Sequence, residues 1–87
     1  MAKYHEYIEK VNVSIGNKIS SLRIAKGLPR NRLAGSIGVT HQQLHKYEKG
    51  TNRISVGRLV LIAQALQQPV NFFYEGIDID IDNKNQS

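Results

Sequence analysis

Residues 28–54 read LPRNRLAGSIGVTHQQLHKYEKGTNRI. Two short helical patterns lie here, one from Pro29 or Arg30 to Ile37 and one from Thr40 to Lys49. Pro suits the first turn of a helix, because its missing N–H is unpaired there anyway. Leu33, Ala34 and Ile37 form the inward side of the first pattern, and the small Ala34 lets the next helix cross closely. Gly38 supplies a left-handed corner between the two. The second pattern has the best start signal in the chain. Thr40 is an N-cap, Gln43 three residues on completes a capping-box pair, and Val39 with Leu44 forms a hydrophobic staple. Leu44 and Tyr47 point inward, while His41, Gln42, His45, Lys46 and Lys49 lie outward or on the flank. Gly50 ends the helix, and Thr51, Asn52 and Arg53 form a polar loop.

Helical spacing continues on both sides of this stretch. Tyr4, Tyr7, Ile8 and Val11 fall at i, i+3, i+4 and i+7. Asn12, Val13 and Ser14 weaken the pattern, and Ser14 is the expected N-cap of a helix from Ile15 to Lys26 with Ile15, Ile19 and Leu22 inward. Gly27 stands where a C′ glycine belongs. Downstream, Ser55 caps a fourth helix with Ile54 and Leu59 as its staple, and Leu59, Ile62, Ala63 and Leu66 form its core stripe. Pro69 breaks the chain before a short fifth helix carrying Val70, Phe72 and Phe73. The expected architecture is therefore all-α, five helices with short connections. Residues 1–13 read as an N-terminal extension with a helical stripe, 14–76 as the main domain and 77–87 as an acidic tail. Ile77 to Asp82 alternates strictly; the stretch reads as a flexible tail or as a short pairing strand.

Eighty-seven residues make one small domain. The chain has no Cys, so neither a disulfide framework nor a thiolate metal site is available. Met1 to Lys10 has no apolar run of the signal-peptide kind. The longest apolar run, Leu59 to Ala63, is far too short to span a bilayer. A cytoplasmic protein is the expectation. From Lys10 to Arg58 there are ten basic residues against one acid, Glu48, a net charge of +9; from Glu75 to Ser87 there are four acids against Lys84, a net charge of −3. A basic body of this density points to a polyanion partner.

Catalytic arrangements do not emerge. No Ser has His and Asp partners at useful positions, no Gly-rich phosphate loop is present, and the acids after Tyr74 sit on an irregular tail. His41 and His45 are four apart on one exposed face, but no Cys or further His supplies the rest of a zinc site. The expectation is a protein that is no enzyme and holds no metal or cofactor.

The ordered elements Gly27-Leu28, Leu33-Ala34, Gly38-Val39-Thr40, Lys46-Tyr47-Glu48-Lys49-Gly50, Leu59, Ile62-Ala63, Ala65-Leu66 and Val70 carry a resemblance. Residues 15–76 resemble the Cro and phage-repressor type of helix-turn-helix regulator, often called XRE-like. Residues 50–55 and 69–76 look like a subgroup of such regulators common in alphaproteobacteria. The resemblance implies a lambda-repressor-like domain whose second motif helix enters the major groove of DNA. It implies base reading by His41, Gln42, Gln43 and Lys46. It implies phosphate contact at Arg30, where the family usually has Gln, and at Asn52 and Arg53 in the following loop. It also implies a structural pair between Arg23 and Glu48. Two departures stand out: Pro29 replaces the usual Ser or Thr cap, and Ile54 replaces a frequent Pro.

The side chains suit these tasks. A Gln42 amide can bond adenine N6 and N7 together, and Lys46 can reach guanine O6 and N7 or a phosphate. Gln43 reads a base only if the capping box leaves its amide unused. Thr40, His45 and Lys49 join Arg30, Asn52 and Arg53 as the expected phosphate shell. Protonation of His41 or His45 would add a cation beside DNA. One module covers only a short half-site, too little for selectivity. A homodimer reading an inverted repeat, with recognition helices about 34 Å apart, is the expected form. Phe72 and Phe73, or the Tyr4–Val11 stripe, are the candidate interfaces. The leading expectation is a sequence-specific regulator of transcription, a repressor. The alternative is an antitoxin or protein-binding adaptor whose DNA binding is autoregulatory. No small-molecule pocket is legible.

Overall fold

The computed structural model of the chain describes residues 2–77. Ala2–Ala25 form one unbroken helix, α1, 24 residues long. α2 spans Arg30–Ile37, α3 His41–Lys49 and α4 Val56–Ala65, followed by a single 3-10 turn over Val70–Phe73. Among the described residues four α-helices are therefore present where five helices were expected, and no strand is found. Pro69 and Tyr74 leave only four residues for the last element. That is too short to repay the nucleation of an α-helix, and i→i+3 bonds close it instead. The alternating stretch beyond Ile77 lies outside the described residues.

The expected boundary at Ser14 is also corrected. The helix runs straight through Ser14. Asn12, Val13 and Ser14 are mediocre helix formers, each costing only tenths of a kcal/mol, and none is a breaker. Gly16, within the same helix, is fixed by packing. A Cβ built there would lie 2.4 Å from the Tyr47 carbonyl oxygen, so only glycine lets α1 cross α3 this closely. At about 1.5 Å per residue the helix is a rod of roughly 36 Å. It gives the molecule its long axis, 45 × 23 × 21 Å.

The caps explain the other boundaries. Thr40 Oγ1 accepts the Gln43 N–H at 3.0 Å, and Ser55 Oγ accepts the Arg58 N–H at 3.0 Å. Gly38, with φ 74°, turns the corner between α2 and α3, and the Val39 N–H donates back to Ala34 O. The Arg58 guanidinium closes α2 from outside by donating from Nη1 to Ile37 O at 2.7 Å. α2 itself begins at an extended Pro29 with no side-chain cap.

The core gathers Ile19 of α1, Leu33, Ala34 and Ile37 of α2, Leu44 and Tyr47 of α3, Ile62, Ala63 and Leu66 from α4 and its end, and Phe73. Ile15, Leu22, Leu59, Val70 and Phe72 pack around it. Phe73 is wholly buried and meets the half-buried Phe72 edge to face at 5.1 Å, so of this ring pair Phe73 belongs to the core. Lys18 fastens the 3-10 turn to α1. Its Nζ donates to Phe72 O at 3.1 Å and to Glu75 O, and lies 5.6 Å from the Phe72 ring centroid. Lys18→Met keeps most of the stem and loses these contacts. The expected cost is about 1–3 kcal/mol, read as a lower urea midpoint with an unchanged slope.

Candidate nucleic-acid interface

α3 divides its residues by helical spacing. Leu44, Tyr47 and Glu48 are buried, whereas His41, Gln42, His45, Lys46 and Lys49 are exposed and Gln43 is half-buried. The exposed side carries amides, imidazoles and ammonium groups and no acid. The one acid of the helix is turned inward, with Glu48 5% and Arg23 7% exposed. Arg23 donates from Nε to Glu48 Oε2 at 2.6 Å and from Nη2 to Oε1 at 3.2 Å, a two-pronged contact. Arg23 Nη1 also donates to Leu28 O at 3.0 Å.

Arg30 completes the cluster in a way the sequence did not reveal. Its Nε donates to Glu48 Oε1 at 3.0 Å. One carboxylate thus joins α1, the start of α2 and the end of α3. The Arg30 side chain remains 29% exposed, so it lies at the rim of the cluster rather than inside it. Nothing short of the fold could show this, since Arg30 and Glu48 are 18 positions apart. The same cluster satisfies its own polar atoms: among the described residues no buried side-chain nitrogen or oxygen lacks a partner.

The capping box forms only by half. Thr40 accepts from the backbone of Gln43, but among the described residues the Gln43 side chain makes no hydrogen bond. Thr40 is exposed, and a hydrogen bond at an exposed position adds little net stability, which leaves little to gain from the reciprocal bond. The Gln43 amide is therefore unused by the cap.

After α3, Gly50 takes φ 79° and its N–H returns to Lys46 O and Tyr47 O. The Thr51 hydroxyl donates to Lys46 O at 3.3 Å. Asn52 is half-buried and Arg53 exposed. A cleft lined by His5, Glu9, Lys49, Thr51 and Arg53 brings the N-terminal half of α1 beside this loop, a neighbour that the stripe at Tyr4–Val11 did not foretell. His5 Nε2 and Glu9 Oε2 pair there at 3.0 Å. Among the described residues no helix is long and apolar enough to cross a membrane.

Comparison with known proteins follows this geometry. Residues 19–73 match the model of a family described as helix-turn-helix. The chain is 58% identical over 78 residues to an uncharacterized HTH-type transcriptional regulator of Rickettsia conorii, covering 90% of this chain and 62% of that protein. The chain thus spans about three-fifths of the length of that curated relative. Among solved structures, it resembles the restriction-modification controller protein C.AhdI from Aeromonas hydrophila, with a TM-score of 0.67 and 28% identity over 70% of this chain and 92% of that one. It also resembles Bacillus thuringiensis PlcR, solved in complex with the peptide PapR7 and DNA, with a TM-score of 0.69 and 32% identity over 85% of this chain and 26% of PlcR.

Proposed function

The chain belongs to the XRE-type helix-turn-helix family, and from that premise we propose that it is a sequence-specific, double-stranded-DNA-binding regulator of transcription. It acts as a repressor and reads an inverted repeat as a homodimer, with α3 in the major groove. The observation that carries this reading is the exposed side of α3, where His41, Gln42, His45, Lys46 and Lys49 stand together and the helix's one acid is buried under two arginines. A groove lined by phosphates favours that arrangement, because an uncompensated carboxylate there would repel DNA.

Within this reading, Gln42 bonds an adenine through its amide and Lys46 bonds a guanine. His41 and the unused amide of Gln43 contact neighbouring base edges. Arg30, Thr40, His45, Lys49, Asn52 and Arg53 hold phosphates and fix the register. The DNA-binding unit is residues 14–76. Arg30 serves two partners: Glu48 orients its Nε, and the rest of the guanidinium addresses the backbone.

Selection of bound duplexes from a random pool tests this directly. An inverted repeat with half-sites one helical turn apart is the expected product; a pool that shows no enriched sequence overturns the reading. On the enriched duplex, Gln42→Ala is expected to lose discrimination at one base position, about 1–3 kcal/mol. Arg53→Ala is expected to weaken all duplexes alike. It should also reduce the slope of log K against log salt by about 0.9. Equal behaviour of the two variants would contradict the assigned roles.

A further inference from the structure

The two ends of α3 are held by different means. Its last turn is fixed against α1: Arg23 grips Glu48, and the backbone of Tyr47 and Gly50 lies against Gly16 and Val13. None of these contacts reaches the first turn, which begins at the Thr40 cap. Leu44 anchors that end in the core, with Val39 at its margin. Beyond that anchor, the first turn follows the corner at Gly38, through which it is joined to α2. α3 packs chiefly on α1 and α2, so α4 does not hold it directly.

α4 holds that corner instead, through one side chain. Arg58 Nη1 donates to Ile37 O, the last carbonyl of α2, at 2.7 Å. Among the described residues no backbone N–H reaches this carbonyl. The same nitrogen lies 3.5 Å from the place a Cβ on Gly38 would take. The arm that reaches the corner springs from a capped turn, since the Arg58 N–H is held by Ser55 Oγ at 3.0 Å. Arg58 is half-buried and is the one charged residue of α4. Water can satisfy a carbonyl at a helix end. A short, charge-assisted bond from another helix also fixes where that end points.

We propose that Arg58 is a positioning residue for sequence reading. By holding Ile37 O it sets the angle at which the first turn of α3 presents His41, Gln42 and Gln43 to base edges. The inference rests on the DNA reading of the proposed function and adds to it a residue outside the two motif helices. Four residues separate Ile37 from Gln42, and one of them is Gly38, whose backbone has the widest freedom of any residue. A rotation released there passes straight into the place of the Gln42 amide. That amide must meet two atoms of one base together, and hydrogen bonds weaken steeply with angle. Lys49 and Arg53 reach phosphates on long stems from the other end of α3, which α1 holds. Those contacts carry no sequence information and do not depend on the corner. Arg58 therefore acts on the preference for one sequence and not on general affinity for DNA.

The test compares the full chain with Arg58→Met, Arg58→Lys and Lys18→Met, on the enriched duplex and on a scrambled duplex of equal length. Arg58→Met keeps most of the stem and loses the donor. It is expected to fold and to bind the enriched duplex about tenfold more weakly, the share of one well-made base contact. Its affinity for the scrambled duplex and its salt slope are expected to stay unchanged. Arg58→Lys keeps a donor of similar reach and is expected to recover most of the loss. Lys18→Met, destabilised far from the corner, is expected to keep the full preference. An unchanged preference in Arg58→Met, an equal loss in Lys18→Met, or an Arg58→Met chain that does not fold overturns the proposal. So does a salt slope smaller by about 0.9, because Arg58 would then be a phosphate contact itself. Amide NMR spectra of the DNA-free chain supply the independent arm. Arg58→Met is expected to move the signals of Gly38 to Gln43 and to leave those of Tyr47 to Gly50 in place; movement at both ends, or at neither, overturns the proposal. If the wild-type chain enriches no duplex at all, the DNA reading fails, while the spectra still decide whether Arg58 sets the front of α3.

Discussion

Replacing Glu48 with alanine is expected to cost about 3–5 kcal/mol of folding stability, a large share of what a domain of this size possesses. The loss comes from charge rather than volume. Arg23 is 7% exposed and has two of its nitrogens on this carboxylate, so Glu48→Ala leaves a guanidinium buried without its counter-charge. Arg30 fares better, because at 29% side-chain exposure it can turn to solvent. The double variant Arg23→Met with Glu48→Met is then expected to recover most of the loss, since no unpaired charge is left inside. Urea unfolding of the three proteins decides the matter. A double variant no more stable than Glu48→Ala would mean that packing, not charge, sets the cost. Because the cluster joins three helices, Glu48→Ala is also expected to loosen the end of α3 and to weaken DNA binding even where the protein remains folded.

Gly50→Ala is expected to cost about 3 kcal/mol, the sum of two separate penalties. Its φ of 79° places a side chain in the left-handed region, at about 1–2 kcal/mol. A Cβ there would also lie 2.6 Å from Val13 Cα, so the backbone of α1 must move, at a further 1–3 kcal/mol. Gly38→Ala is the internal control. Its φ of 74° is similar, but the nearest atom is a side-chain one, Arg58 Nη1, at 3.5 Å, an ordinary contact. The difference between the two melting temperatures therefore reports the closeness of α1 to the end of α3. Gly16→Ala makes the approach of α1 to α3 fail at a second point, against Tyr47 O, with no contribution from φ. Equal losses for Gly38→Ala and Gly50→Ala would show that backbone strain alone is at work.

The local signals in the sequence were those with a local cause. Thr40, Ser55, Gly38 and Gly50 mark helix ends because caps and left-handed turns are satisfied within a few residues, and each stands where the structure uses it. The core stripe of α4 and the inward trio of α2 followed from helical spacing alone. What the sequence withheld depended on distant partners. Ser14 looked like a cap because hydroxyl residues often start helices. The approach of Tyr47 O, which requires a glycine at position 16 of that same helix, exists only once α1 and α3 are packed together. Arg30 read as a surface cation, and its bond to Glu48 exists only once α2 and α3 are packed together. Arg58 read as one more basic residue, and it closes the end of α2.

The unbroken α1 also governs how the molecule moves through water. A body 45 Å long and little more than 20 Å across tumbles unequally about its axes and experiences more drag than a sphere of its mass. A monomer of this shape elutes early in gel filtration and imitates a larger particle. Backbone amides along α1, lying parallel to the long axis, should relax differently from those of helices that cross it. Counting copies of this chain therefore calls for a measure of mass that is blind to shape, such as light scattering or sedimentation equilibrium.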